Sequence, residues 1–127
     1  MKEIKFRAWS KEEGMINVAR LDIADGSLYK RLITGKAYDY WNDVILMQYT
    51  GLKDKNGTEI YEGDIVKYTS ELENGIFEVK YGCCRFYGLW IEATFMDITT
   101  DLFYLGCSNE LEVIGNIYKN PELLEVN

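Results

Sequence analysis

Glu62 and Asp64 flank a single glycine in "YEGDIVKY", and they are the side chains whose spacing comes nearest to chemistry. Paired carboxylates can perform acid-base work or hold a divalent cation. A calcium site, however, needs four or more further oxygen ligands, and the D-x-[DN]-x-[DN]-G loop that supplies them is missing. A turn carboxylate bonded to local amides is the ordinary role for such a residue. Cys83, Cys84 and Cys107 form an odd set with one vicinal pair, which fits neither a disulfide framework nor C-x-x-C metal spacing. They are expected to be reduced, partly buried thiols. The chain has no histidine, so it has no imidazole base, no Ser-His-Asp or Cys-His pair and no His-containing zinc site. Neither G-x-x-x-x-G-K-[ST] nor G-x-G-x-x-G occurs. Asp, Glu, Lys, Tyr or Cys could still serve as acid, base or nucleophile, but nothing draws two of them together. The expectation is a non-enzyme with no catalytic residue, no metal and no cofactor.

The elements that must position any site read as strands. A chain of 127 residues suits one domain, or a domain with a smaller lobe, and buries roughly two-thirds of the surface its unfolded form exposes. With 47% hydrophobic residues, ten Tyr, five Phe and three Trp, it is too apolar for a disordered protein. In "EIKFRAW", Ile4, Phe6 and Ala8 alternate with Glu3, Lys5, Arg7 and Trp9, the period-2 pattern of a half-buried strand. "SKEEG" turns the chain into "MINVARLDI", read as one second strand, and Asp25-Gly26 signals another turn. Residues 30–43 lack a clean period and read as loop, in which Tyr38, Tyr40 and Trp41 could cover a core edge or a partner site. "VILMQYTGL", "EIYEGDIVKYT", "GIFEVKYG", "LWIEATFM" and "LEVIGNIY" are five further strands. Asn120 to Leu124 reads as a short helical turn, with Asn120 as cap and Pro121 at its first position. Strands at this spacing predict a mainly β fold, a small barrel or a sandwich.

"MQYTGLKDKNGTEIYEGDIVKY", Met47 to Tyr68, is the most strongly patterned stretch. A two-residue turn at Asn56-Gly57 would set Asp54 against Glu59, a like-charge pair. A three-residue loop, Lys55-Asn56-Gly57, instead sets Asp54 against Thr58, Lys53 against Glu59 and Leu52 against Ile60, with Tyr61 covering Gly51. Each such pair contributes only about 0.2–1 kcal/mol, yet all favour one register. The reading makes Asp54, Asn56, Gly57 and Gly63 structural turn residues, with Gly57 at positive φ and Asp54 bonded to a local amide.

"MKEIKFRAW", the Met47 to Tyr68 stretch and "EVIGNIYKNPELL" together resemble the beginning, middle and end of the YopX family of phage and prophage proteins. The segments matching poorly are about 19–43 and 83–110. Ser10 stands where the family often has Asp, which touches a turn cap only. The resemblance implies an SH3-like β-barrel from a bacteriophage or prophage, and a family without an established biochemical function. The expected organisation is an N-terminal β-hairpin extension with its aromatic loop over 1–45, a barrel over 46–127, and the short C-terminal helical turn.

Charge bounds the partners. Residues 1–57 carry ten Lys/Arg against eight Asp/Glu and residues 58–127 four against thirteen, so the acidity lies in the second half of a chain of net charge −7. Such a chain is a poor sequence-independent binder of nucleic acid. The expected role is a phage accessory protein that binds a protein partner through its acidic C-terminal half, or associates with itself. The alternatives are a nucleic-acid-associated module using Lys2, Lys5, Arg7 and Arg20, and a structural homo-oligomer. Trp9, Tyr49, Tyr61 and Asp64 are the candidate binding residues, with packing inside the fold as the competing role of the aromatics. Met1 to Trp9 lacks the apolar stretch of a secretory signal and no 18-residue apolar run occurs, so a cytoplasmic protein of a bacterial host, with no membrane partner, is expected.

Overall fold

The structure, a computed structural model, describes residues 4–22, 24, 27–29, 37–39, 43–69, 74–82, 85–93, 99–101 and 111–124. The Asp25-Gly26 turn, Tyr40, Trp41 and the three cysteines lie outside the described residues, as do Lys2 and the side chains of Arg20 and Tyr38. The fold is small and mainly β. It divides into a unit over Met1–Tyr49 and a unit over Thr50–Asn127.

In the first unit, β1 (Phe6–Ser10) pairs antiparallel with β2 (Gly14–Asn17) on one side and with the first half of β6 (Val44–Lys53) on the other. Ser10 closes the intervening turn by accepting the amides of Glu12 and Glu13 at 3.2 and 3.3 Å. This places a hydroxyl in the cap role a carboxylate could also fill. A second antiparallel sheet is formed by β3 (Arg20–Asp22), β4 (Ser27–Tyr29) and β5 (Ala37–Asp39). Ala8, Ile16, Leu28 and Val44 make the core, with Val18, Leu21 and Leu46 packed against them. Alternation along β1 therefore buries Ala8 and Ser10, while Ile4, expected on the buried face, precedes the strand and is 71% exposed.

Two expectations change here. "MINVARLDI" is two strands in two sheets, β2 and β3. The apolar spacing shows the corner: Ile16 and Val18 are two apart, but Val18 and Leu21 are three apart, so the chain must change direction for both to reach one core. The segment read as loop contains β5, which is too short to show a period of its own and is held by pairing with β4.

In the second unit a five-stranded antiparallel sheet has the order β11-β10-β9-β8-β12. Its strands are β8 (Asp64–Thr69), β9 (Asn74–Gly82), β10 (Arg85–Ala93), β11 (Thr99–Asp101) and β12 (Leu111–Asn116). The second half of β6 and β7 (Glu59–Tyr61) form a hairpin. Ile60, Val66, Phe77, Val79, Phe86 and Leu111 are its core, and Leu52, Tyr68 and Val113 pack against them. A buried side chain of this kind contributes about 1.5–3 kcal/mol.

β10 begins at Arg85, well before the expected "LWIEATFM", because Gly88 disguises the pattern. A Cβ on Gly88 would stand 2.4 Å from Cδ2 of Phe77, so the missing side chain is what lets the aromatic ring lie across the strand. β11 is a three-residue edge strand paired with β10, too short to carry a period of its own in the sequence. Pro121–Leu124 forms a single 3-10 turn. Asn120 caps it through its carbonyl, which accepts the amide of Leu123 at 3.0 Å, while its side chain turns back to accept the amide of Asn116 at 3.2 Å.

Candidate functional site

The β6–β7 hairpin has the three-residue loop and register that its charges favour. Asp54 N donates to Thr58 O at 2.8 Å, Gly57 N donates to Asp54 O at 3.0 Å, and Gly57 has φ 84°. These are the marks of a type I turn followed by a left-handed bulge residue. Leu52 and Ile60 belong to one apolar cluster. Gly51, with φ 89°, is exposed while Tyr61 is buried. Beside Gly51 the hydroxyl of Thr50, fully buried, donates to Ile60 O at 2.8 Å and accepts Leu52 N at 3.2 Å.

Asp54 does more than cap this turn. Only 7% exposed, its Oδ1 accepts the amides of Asn56 and Thr58 at 2.8 and 2.9 Å, and its Oδ2 accepts the amide of Val113 at 2.9 Å. Lys55 N donates to Leu111 O at 2.9 Å, and Lys55 Nζ lies 3.0 Å from Glu112 Oε2. The hairpin tip is thereby fastened along β12. Burial on its own would raise the pKa of Asp54, but the amides of Val113, Thr58 and Asn56, with the Lys55 ammonium nearby, hold it below the ordinary value. A carboxylate so stabilised is a weak base and poorly suited to general-base work near neutral pH.

Asp64 has the same structural character. It is 1% exposed, and its Oδ2 accepts the amide of Tyr61 at 2.8 Å. This bond closes the "YEGD" turn around Gly63, which has φ 84°; Gly63 N donates to Val79 O and its carbonyl accepts Ile117 N, both at 2.9 Å. Asn116 completes the set, its Oδ1 accepting the amides of Tyr118 and Lys119 at 3.0 and 2.8 Å. Among the described residues no group of three or more His, Cys, Asp or Glu could hold a metal ion.

The expected binding residues are thus not brought together. Tyr49, Tyr61 and Asp64 are buried, and Lys5 Nζ lies 5.8 Å from the Tyr49 ring centroid. Trp9 alone of the four is partly exposed, with its indole 3.8 Å from where a Cβ on Gly14 would stand. Register reveals its neighbours. Trp9 is opposite Met15 on β2 and Ile45 on β6, so these three form one cross-strand row on the face away from Ala8, Ile16 and Val44. Ile45 is 46% exposed, whereas Met47, two residues on, is buried. Sequence reasoning missed this row, because every residue from Val44 to Met47 is apolar and no alternation distinguishes the faces. It also missed Val113, whose contribution is a backbone amide without a side-chain signature.

A family model described as YopX protein matches residues 5–125. The crystal structure of protein EF1440 from Enterococcus faecalis is similar over 98% of this chain and 100% of that one, at 32% sequence identity and a TM-score of 0.69. No curated protein matches the chain. Among the described residues no helix is long and apolar enough to cross a membrane.

Proposed function

This chain belongs to the YopX protein family, and from that premise we propose that it is a non-enzymatic protein-binding accessory module of a bacteriophage or prophage, acting in the cytoplasm of the bacterial host. In this reading the second unit is the SH3-like barrel that the family resemblance implies, and the first unit carries the contact.

The observation that carries the proposal is the row Met15, Trp9 and Ile45, which sets an aromatic between two aliphatic side chains on the face opposite the core. Apolar and aromatic anchors of this kind dominate the centres of protein interfaces. Of the Glu62–Asp64 pair that could have pointed to catalysis, Asp64 is buried and accepts the backbone amide that holds its turn in place. The net charge of −7, which lies in the second half of the chain, disfavours the polyanionic backbone of nucleic acid as a partner of the whole protein.

The test is affinity capture from host lysate with the wild-type chain and with Ile45→Asp, alongside light scattering of each. A retained protein, or a concentration-dependent dimer, that is lost on Ile45→Asp with circular dichroism unchanged is the expected result. Retention indifferent to Ile45→Asp and to Trp9→Ala would remove this face from consideration. Salt-sensitive binding to single- or double-stranded nucleic acid would replace the proposal with the nucleic-acid alternative.

A further inference from the structure

The tip of the β6–β7 hairpin carries a reactive dipeptide. Asn56 and Gly57 are both exposed, and a Cβ on Gly57 would meet nothing within 4 Å. In Asn-Gly the side-chain amide carbon lies within reach of the next backbone nitrogen, which has no neighbouring side chain to hinder the approach. Attack of Gly57 N on Asn56 Cγ makes a new N–C bond and a five-membered succinimide. The Cγ–Nδ2 bond breaks, the proton from Gly57 N passes through water to the departing nitrogen, and ammonia leaves. Water then adds to one of the two ring carbonyls and opens the ring to aspartate or isoaspartate. No electrons are exchanged, and water is the sole co-reactant.

We propose that Asn56 is a deamidation site whose rate is set by the Asp54 latch. In the folded hairpin the attacking nitrogen keeps its proton in the bond to Asp54 O, 3.0 Å away. The residues on either side of that nitrogen are fixed as well, since Asn56 N and Thr58 N both donate to Asp54 Oδ1 at 2.8 and 2.9 Å. Reaction therefore requires the tip to open first. Once it has occurred, return is blocked. Either product adds a carboxylate two residues from Asp54, and isoaspartate also lengthens the main chain inside a loop whose residue count sets the register. The hold on Val113 and Leu111 then weakens, so a transient opening becomes permanent release of the tip from β12.

The chain supplies its own reference. Asn74-Gly75 has the same chemistry at the start of β9, where the backbone pairs with Tyr68 and Thr69 of β8 and is remote in sequence from the latch. Full-length protein, folded or unfolded in urea, is held at neutral pH, and peptide mapping follows the gain of about one dalton at each asparagine. Asn56 is expected to convert at least about tenfold more slowly in the folded chain than in the unfolded one, the ratio that a modest local opening free energy imposes. In Asp54→Ala, folded Asn56 should accelerate while Asn74 does not. Should that variant fail to fold, hydrogen exchange of the Gly57 amide in the wild type substitutes, and its protection should match the slowing. Equal rates at Asn56 in folded and unfolded chains, an Asp54→Ala effect of equal size at both sites, an unprotected Gly57 amide, or an unfolded chain that leaves Asn56 intact would each overturn the proposal.

Discussion

The Oδ2 atom of Asp54 accepts the backbone amide of Val113 at 2.9 Å, across 59 positions of sequence. With Lys55 N donating to Leu111 O, this bond gives β12 a partner on the edge that β8 does not occupy. The hairpin tip thus acts as a substitute strand, supplying one main-chain donor and one side-chain acceptor. An unpaired strand edge is a template for unwanted association, and covering it with a loop is an established remedy.

Removing the acceptor should be costly. Asp54→Ala leaves the amides of Asn56, Thr58 and Val113 without their carboxylate, and a buried donor left unsatisfied costs about 1–3 kcal/mol. Urea denaturation should show a midpoint lowered accordingly with an unchanged slope. The neighbouring Lys55–Glu112 pair is half exposed, so Lys55→Ala should cost less than about 1 kcal/mol.

Acid should loosen the same contact. The folded-state pKa of Asp54 lies below its unfolded value of about 3.9, so the carboxylate's contribution is fully present above that value. It is lost as pH falls through the folded pKa. Stability of the wild type measured between neutral pH and strongly acid solution should therefore fall more steeply below about pH 4 than that of Asp54→Asn, whose side chain does not ionise.

Gly88 should resist any side chain. The Cβ of Gly88→Ala would meet the fully buried ring of Phe77 at 2.4 Å, and overpacking of this kind costs about 1–3 kcal/mol. Because the clash involves the ring itself, Phe77→Leu in the same chain should cost less in the Gly88→Ala background than in the wild type. A double-mutant cycle in urea measures that coupling.

Two other glycines should separate strain from space. Gly57 has φ 84° with open surroundings, so Gly57→Ala should cost about 1–2 kcal/mol from backbone conformation alone, and Gly57→Asn less. Gly115→Ala would instead press on Asn120 Oδ1 at 2.6 Å and dislodge the side chain that holds the amide of Asn116. Replacing Asn120 with Gly should therefore lessen the penalty at position 115 and leave that at position 57 unchanged.

Much of the fold is legible in the amino-acid sequence, and the reason is range. The hairpin register follows from pairs a few residues apart: Asp54 with Thr58, Lys53 with Glu59, and a glycine at the loop position that needs positive φ. The mainly β class followed from period-2 alternation, which each strand carries within itself. Legibility ended where a run was apolar on both faces, as at Val44 to Met47, or where a glycine interrupted the pattern, as at Gly88. It ended also at the corner after Val18, where a change of sheet preserves composition and alters only spacing.

The amino-acid order by itself therefore determined the turns, the strand types and the register of the hairpin, since sterics and charge act there through a handful of bonds. Tertiary structure decided that Asp54 reaches Val113, that Tyr49, Tyr61 and Asp64 are enclosed, and that Ile45 stands beside Trp9 on an outer face. Those outcomes depend on which distant segment arrives alongside, and burial and long-range hydrogen bonding are properties of that meeting rather than of either segment.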